Sequence, residues 1–406
     1  MPEGSLSEVL CSPASDRPVV LEGRWLGDSK GRAWAAIDPV SVLEGGQEAF
    51  DELPHWVAWH AAKFPAGAAI GFLSYELARI FERVPLANFR FLPDLSFAYY
   101  PRMEKLSDVT TAVTQAVRPA EFRANFDAES YPGAIAKIRE YIAAGDIYQA
   151  NLTVQFRVGL QGQPAEHIYC RLRDGQAPFR ALLKSPHRTI ISNSPERFFR
   201  VRGNHILASP IKGTIARGGK DDQETRRSLL SSLKDRAENV MIVDLLRNDL
   251  GRICRYNTIR VRLWETETLP HLFHLVSHVE GELRAGVRLW DIFRALFPCG
   301  SITGAPKIRA MEILAEIERA PRGVSMGALG IICGVPGSDR CTMDFSVAIR
   351  TMLVENGTAV FNVGGGIVYD SLAAAEYEEM MLKARPLLHA LGALEAMKEH
   401  ATTTFT

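Results

Sequence analysis

The 406-residue chain has no excess of either charge: 47 lysines and arginines stand against 47 aspartates and glutamates. That excludes the global positive field by which a protein gathers nucleic acid or an anionic membrane, so any anion must be met by a local site. No apolar run is long enough to cross a bilayer. The opening MPEGSLSEVL lacks the basic stretch and apolar segment of a secretory leader, and the expected location is the cytoplasm. The six cysteines (Cys11, Cys170, Cys254, Cys299, Cys333, Cys341) are scattered and form no CxxC pair. Neither a disulfide framework nor a zinc ribbon follows, and isolated thiols suit a reducing compartment. The stretch FPCGSITGAPKIRAMEI misses the GxxxxGK[ST] phosphate loop. Gly300 and Gly304 are one residue too close, and Pro306 precedes Lys307. There is no internal repeat and no low-complexity segment.

What remains is an ordinary globular composition, 47% hydrophobic and 23% charged, in a chain too long for one small core. A boundary is expected near residue 120, dividing an N-terminal region (1–120) from a larger catalytic domain (121–395), with a frayed tail at 396–406. AGAAIGFLSYELARIFE reads as a buried strand running into a helix. Ile135, Ile138, Tyr141 and Ile142 recur at helical spacing, with Gly145 as the cap. PERFFRVRGNHILASPIKG reads as two strands turning at Gly203-Asn204, and TRRSLLSSLKDRAENVMIVDLLRNDLGRI as helix. TIRVRLWETETL and HLFHLVSHVEGEL read as strands. TMDFSVAIRTMLVENGTAVFNVGGG reads as two strands joined at Asn356-Gly357. Hairpins beside helices predict antiparallel sheets in an α+β fold.

Several groups carry chemistry. Asp235 and Glu238 share one face of a predicted helix; Glu376, Glu379 and Lys383 share a stripe of another. Such stripes are either solvated faces or, if the helices meet, oxygen ligands for Mg2+, which takes one or two carboxylates and leaves places for water and an anionic substrate. Gly364, Gly365 and Gly366 stand between a strand and the second helix, as a tight turn or as amides open to an anion. Arg350, at a predicted strand end, is either exposed or a bidentate carboxylate partner. In HLFHLVSH, a strand puts His274 and His278 on one face, which suits a cleft histidine better than the zinc site that His271, His274 and His278 would suggest on a helix. Glu196, before two phenylalanines, is either a surface turn residue or a general acid with its pKa raised by apolar rings. In SPIKGTIARG, Lys212 sits between a β-branched residue and a glycine, as a loop charge, a phosphate ligand or a nucleophile.

GDIYQANLT, SPERFF, SPIKGTIARGG, DRAENVMIVDLLRNDLGRIC, HLVSHVEGEL, GSITGAPKIRAMEI, FSVAIRT and GGGIVYDS…EYEEMMLKA occur in that order. Together, over roughly residues 125–390, they resemble the chorismate-utilising enzymes, a family of anthranilate, aminodeoxychorismate, isochorismate and salicylate synthases. The resemblance implies antiparallel sheets flanked by helices, chorismate as substrate and Mg2+ as cofactor. It implies Glu238 and Glu379 as direct ligands and Asp235 and Glu376 as supporting carboxylates. Arg350, Lys383 and the amides of Gly364, Gly365 and Gly366 fall around the substrate carboxylates, and Thr214 in a substrate-contacting turn. Glu196 matches the acid for the departing ring hydroxyl, and His274 the cleft histidine. Isochorismate-type members carry a water-activating lysine where this chain has Gln149, which favours ammonia as nucleophile. Lys212 stands where anthranilate synthases have alanine, and marks the aminodeoxychorismate branch, with the lysine amine adding covalently at C2. Ammonia is then expected from a separate glutamine amidotransferase subunit, because no cysteine lies in a GxCxG-like elbow. The chain departs from the family at Ser325 and Met326, where an aromatic is usual near the enolpyruvyl group, and at Cys299, where glycine is common. Gly23 replaces the serine of tryptophan-regulated relatives, so tryptophan inhibition is not expected.

Overall fold

The runs Ala68–Leu73 and Leu95–Tyr100 are apolar without alternation, and every residue in them is buried. A strand buried on both faces needs a layer on each side. A computed structural model, which describes Val9 and residues 16–395 apart from 29–31, 87–91, 107–119, 173–176, 218–220, 270–271 and 336–340, has those layers. Among the described residues, two ten-stranded sheets pack face to face, with helices against both outer surfaces. All strand pairings among the described residues are antiparallel, as the hairpin signals predict.

The first sheet runs through Gly304–Ala305, Gln149–Gly159, Thr358–Ile367, Thr351–Glu355, Arg188–Ser194, Phe179–Lys184, Val19–Gly23, Ala33–Ala36 and Glu104–Leu106, with Phe122–Ala124 also paired to Gln149–Gly159. The second runs through Ile211–Ala216, Leu272–Glu282, His205–Ser209, Arg197–Arg202, Cys341–Val347, Ala328–Gly334, Ala68–Leu73, Leu95–Tyr100 and Ser41–Gly45, with Arg260–Thr268 also paired to Leu272–Glu282. Among the described residues, strands from before residue 120 thus enter both sheets and add no sheet of their own, while the strands bearing the candidate site lie toward the opposite ends. The expected tail, 396–406, lies outside the described residues, as does His271.

Side chains alternate between faces with period two. Val19 and Leu21 meet Ile70, Phe72, Leu329 and Ile331 between the sheets. Val20, Leu152 and Val154 face outward, under the helices Tyr131–Ala143 and Ala373–Leu391. Phe199 and Phe345 do the same on the second sheet, under Gln47–Lys63, Leu233–Gly251 and Leu289–Leu296.

Three local expectations change. The helical stretch before Gly251 is two helices, Asp222–Ser231 and Leu233–Gly251, because Ser232 is extended and its Oγ accepts the Asp235 N–H at 3.3 Å. An N-cap serine starts a helix by answering an otherwise unpaired amide. The stretch read as one strand through Arg350 breaks at Ala348–Arg350. Cys341–Val347 belongs to the second sheet and Thr351–Glu355 to the first, so Arg350 is at the crossover with φ +49°. The three glycines lie inside the strand Thr358–Ile367, opposite Thr153, Leu152 and Asn151, and not in a turn before the helix.

A buried ionic joint ties the sheets together beside those glycines. Arg322 donates to Glu318, to the Asn151 carbonyl at 2.7 Å and to the Ile302 carbonyl at 2.8 Å, while Glu318 accepts the Thr153 amide at 2.8 Å. Glu76 accepts the Arg322 and Gly323 amides, and burial pushes its carboxyl up to about 7 despite those donors. A carboxyl raised from 4.5 binds its proton more tightly folded than unfolded, so its contribution is full below about 4.5 and lost as pH rises through about 7. Urea unfolding at pH 5 and pH 8 should therefore show a smaller difference in Glu76→Gln than in the parent chain. An equal difference would mean that Glu76 is already ionised at pH 5.

Candidate active site

The site begins with a bulge. Ile211 pairs with Val276 and Thr214 with His274, so Lys212 and Gly213 together oppose a single residue, and Gly213 takes φ +88°. A bulge re-aims the side chain beside it. Lys212 Nζ reaches 3.9 Å from Glu238 Oε2 and is mostly buried. A Cβ on Gly213 would stand 3.0 Å from Asp235 Cβ, so the glycine also lets the helix Leu233–Gly251 approach the strand. Gly213→Ala is accordingly expected to lose about 1–3 kcal/mol of stability, the range for a residue held at an unfavourable φ. Chemical denaturation checks this, and an unchanged midpoint would show that the bulge relaxes.

The two carboxylate-bearing helices share one electrostatic neighbourhood. Lys234 lies 4.0 Å from Glu238, and Lys383 lies 2.8 Å from Glu379. Burial opposes ionisation of Glu379, but Lys383, with Lys234 and Lys212 behind it, outweighs burial and holds the carboxyl below its ordinary range. Three ammonium groups therefore gather about Glu238 and Glu379. Asp235 lies against Gly213, and Glu376 is buried with Ser371 Oγ donating to it at 2.7 Å. Among the described residues no three His, Cys, Asp or Glu side chains converge on one point. The four carboxylates thus do not form a closed cage. Glu238 and Glu379, each facing the same lysines, offer hard carboxylate oxygens, a donor type that suits Mg2+ better than zinc.

The glycine strand faces this group. Asn362 N–H donates to Ser325 Oγ at 2.9 Å, away from the strand Gln149–Gly159. By the alternation of antiparallel ladders, the amides of Gly364 and Gly366 point the same way and that of Gly365 points into the sheet. The strand Thr351–Glu355 has ended opposite Phe361, so no strand covers them there. Lys383 Nζ donates to the Gly364 carbonyl at 3.2 Å. A Cβ at Gly365 would meet Glu376 Oε2 at 3.4 Å and Lys383 Nζ at 3.9 Å; one at Gly366 would collide with the Gln149 amide. Gln149 is buried across Gly366, and its Oε1 accepts no hydrogen bond from the described residues.

Glu196 is 4% exposed. Its Oε1 accepts from Ser301 Oγ at 2.9 Å. Burial raises its pKa to about 7, against the opposing pull of Ser301, Lys212 and Ile211. A carboxylic acid poised near neutrality beside a lysine is the pairing that acid-catalysed displacement needs. His274 differs: burial, and then the charge of Arg350, lower it to about 3, so the imidazole is neutral. Its Nδ1 is 2.7 Å from Thr214 Oγ1, and its Nε2 is buried without a partner among the described residues. His278 instead bonds Ser209 at 3.0 Å. The Arg350 guanidinium has no ion-pair or hydrogen-bond partner among the described residues, and burial lowers its pKa. A guanidinium without a counter-ion invites an anion.

The candidate residues therefore join in two sets: charge couples Lys212 with Glu196, Glu238 and Glu379, and Glu379 with Lys383, while His274 meets Thr214 and Arg350. Lys307 joins neither: it is bound to Asp249 at 2.7 Å and to the Leu296 carbonyl, which closes the phosphate-loop reading structurally. Nor do these residues line the open groove of about 770 Å³ along the helix Leu233–Gly251, whose walls include Tyr148, Leu233, Trp264 and Pro306. Sequence reasoning missed Ser301, Lys234 and Ser371. Ser301 lies within the GSITGAPK stretch, but nothing local to it points to Glu196.

A family model for the chorismate binding enzyme matches residues 27–389. The protein belongs to the chorismate-binding enzyme family. This member is 37% identical over 356 residues to aminodeoxychorismate synthase component 1 of Klebsiella aerogenes, covering 80% of this chain and 77% of that one. It is 38% identical over 282 residues to anthranilate synthase component 1 of Aquifex aeolicus, covering 68% of this chain and 56% of that one. Its fold matches the crystal structure of anthranilate synthase component I from Streptococcus pneumoniae with a TM-score of 0.75 at 26% identity, over 92% of each chain. The chorismate-binding enzyme fold expected from the motifs is therefore the fold this member has.

Proposed function

We propose that this chorismate-binding enzyme is an aminodeoxychorismate synthase component I, a cytoplasmic protein that converts chorismate and ammonia to 4-amino-4-deoxychorismate, with a glutamine amidotransferase subunit as ammonia source. The observation that carries the reading is Lys212, set at a bulge, 3.9 Å from Glu238 and within the field of Glu196. Several relatives named aminodeoxychorismate synthase component 1, at 33–37% identity, support it.

Arg350 and Lys383, with the amides of Gly364 and Gly366 and the hydroxyl of Thr214, supply donors for the substrate's two carboxylates. Glu238 and Glu379 would hold Mg2+, backed by Asp235 and Glu376. Bound there, the ion supplies positive charge against an anionic ring. Lys212, once it has passed its ammonium proton to solvent water and left Glu238, attacks C2 with its lone pair. The two ring double bonds shift, the C4–oxygen bond breaks, and Glu196 gives its proton to the departing hydroxyl, which leaves as water. Ammonia then forms a bond at C4, the double bonds shift back, and the C2–nitrogen bond breaks to return Lys212 as a neutral amine. The ammonium formed at C4 can return a proton to Glu196. Gln149 carries no basic group to activate water, which leaves ammonia as the competent nucleophile. Neutral His274 offers its unpartnered Nε2 to the bound substrate.

The test is product analysis by mass and fluorescence after incubation with chorismate, Mg2+ and ammonium salt at high pH. The reading predicts a 4-amino product that becomes 4-aminobenzoate only after a lyase is added. The relative named anthranilate synthase component 1, at 38% identity, makes direct release of fluorescent anthranilate the competing outcome, and that result would replace this reading.

A further inference from the structure

We propose that Cys299 is a positioning residue for Glu196, acting through Ser301. The inference rests on the reading of Glu196 as the general acid. Cys299 and Ser301 lie on the turn before Gly304, and both are buried, Cys299 at 5% exposure. Cys299 Sγ is 3.3 Å from Ser301 Oγ, which in turn is 2.9 Å from Glu196 Oε1. The three groups thus form a chain that ends on the acid.

Its direction follows from which atoms are already occupied. Ser301 has one hydroxyl proton, and it is given to Glu196 Oε1. Ser301 Oγ therefore has only lone pairs to offer Cys299, and the S–H is the proton shared between them. An oxygen that accepts there turns its own O–H toward Glu196. Burial pushes the Cys299 thiol up to about 12, so it remains a donor throughout the working range. When Glu196 gives its proton away, the carboxylate left behind meets a serine hydroxyl already oriented to donate. A hydrogen bond to the charged form stabilises it. The other groups facing Glu196 are Lys212 and the Ile211 amide; Lys307 acts on Cys299 from the helix Lys307–Ile317. None of these orients the Ser301 hydroxyl.

The test compares pH profiles of kcat and KM for the parent enzyme, Cys299→Ala, Cys299→Ser and Glu196→Gln, with melting curves for each. Cys299→Ala should move the alkaline limb of kcat upward by about half a unit, as expected for weakening one hydrogen bond to an ionised acid. It should also lower kcat several-fold while leaving KM nearly unchanged. Cys299→Ser, whose hydroxyl can donate in the same way, should restore both. If the limb vanishes in Glu196→Gln but stays fixed in both Cys299 variants, the positioning role is wrong and the acid reading stands. If the limb survives in Glu196→Gln, the acid reading falls and the positioning role with it. A kcat loss in Cys299→Ala that tracks only a lower melting temperature, with an unmoved limb, also overturns it.

Discussion

Lys212→Ala is expected to lose 4-amino-4-deoxychorismate formation by about 10²-fold or more in kcat, the scale of losing one directly acting group. The residual turnover should shift toward the 2-amino product. The reason is geometric: an alanine after the Ile211 position leaves C2 of the ring uncovered, so ammonia can attack there directly. Lys212→Arg separates two roles. It keeps a cation near Glu238 but offers no amine nucleophile, so it should fail as badly as alanine at C4 chemistry. In the parent enzyme, chorismate supplied without ammonia should raise the mass of the protein by one dehydrated substrate, on the peptide containing Lys212. The covalent role is wrong if Lys212→Ala still makes mainly the 4-amino product at an undiminished rate.

Glu196→Gln should have the second largest effect, a fall of about 10²–10⁴ in kcat, as is typical when a positioned general acid is removed. Glutamine has nearly the same shape and can still accept from Ser301, so binding of chorismate should change little. The parent rate should decline above about pH 7 as Glu196 ionises, and the residual rate of the variant should not. Stability moves the other way. The folded carboxyl holds its proton up to about 7 against 4.5 for an ordinary glutamate, so native protein binds more protons than unfolded protein between those values. Folding stability then falls as pH rises through that window, by an order of magnitude of about 3 kcal/mol for such a shift. Glu196→Gln removes that loss and should be the more stable chain at pH 8, though not at pH 4. Equal urea midpoints of variant and parent at pH 8 would mean that Glu196 is not buried as an acid. The expected exchange of stability for activity is typical of a charge kept in an unfavourable place for chemistry.

Both predictions turn on groups that sequence reasoning could name but could not place. What the sequence by itself determined is local. Asn356 and Gly357 both take positive φ, +49° and +70°, as an Asn-Gly hairpin requires, and Gly145 ends its helix at φ +83°. Helical spacing put Asp235 beside Glu238 and Glu376 beside Glu379 before any tertiary contact existed, and strand spacing put His274 and His278 on one face. Each of these depends only on backbone sterics within a few residues. The tertiary structure alone decided the rest. It split the FSVAIRT stretch between two sheets and left Arg350 at the crossover without a counter-ion among the described residues. It ran the three glycines inside a strand whose outer edge has lost its neighbour. It gathered Lys212, Lys234 and Lys383 about two carboxylates from helices far apart in the chain. It set Ser301 against Glu196 across 105 residues. Such meetings follow from which apolar faces are removed from water together, a property of the whole packed chain. No short window of sequence carries that information, and the acidity of Glu196 and the aim of Lys212 are its products.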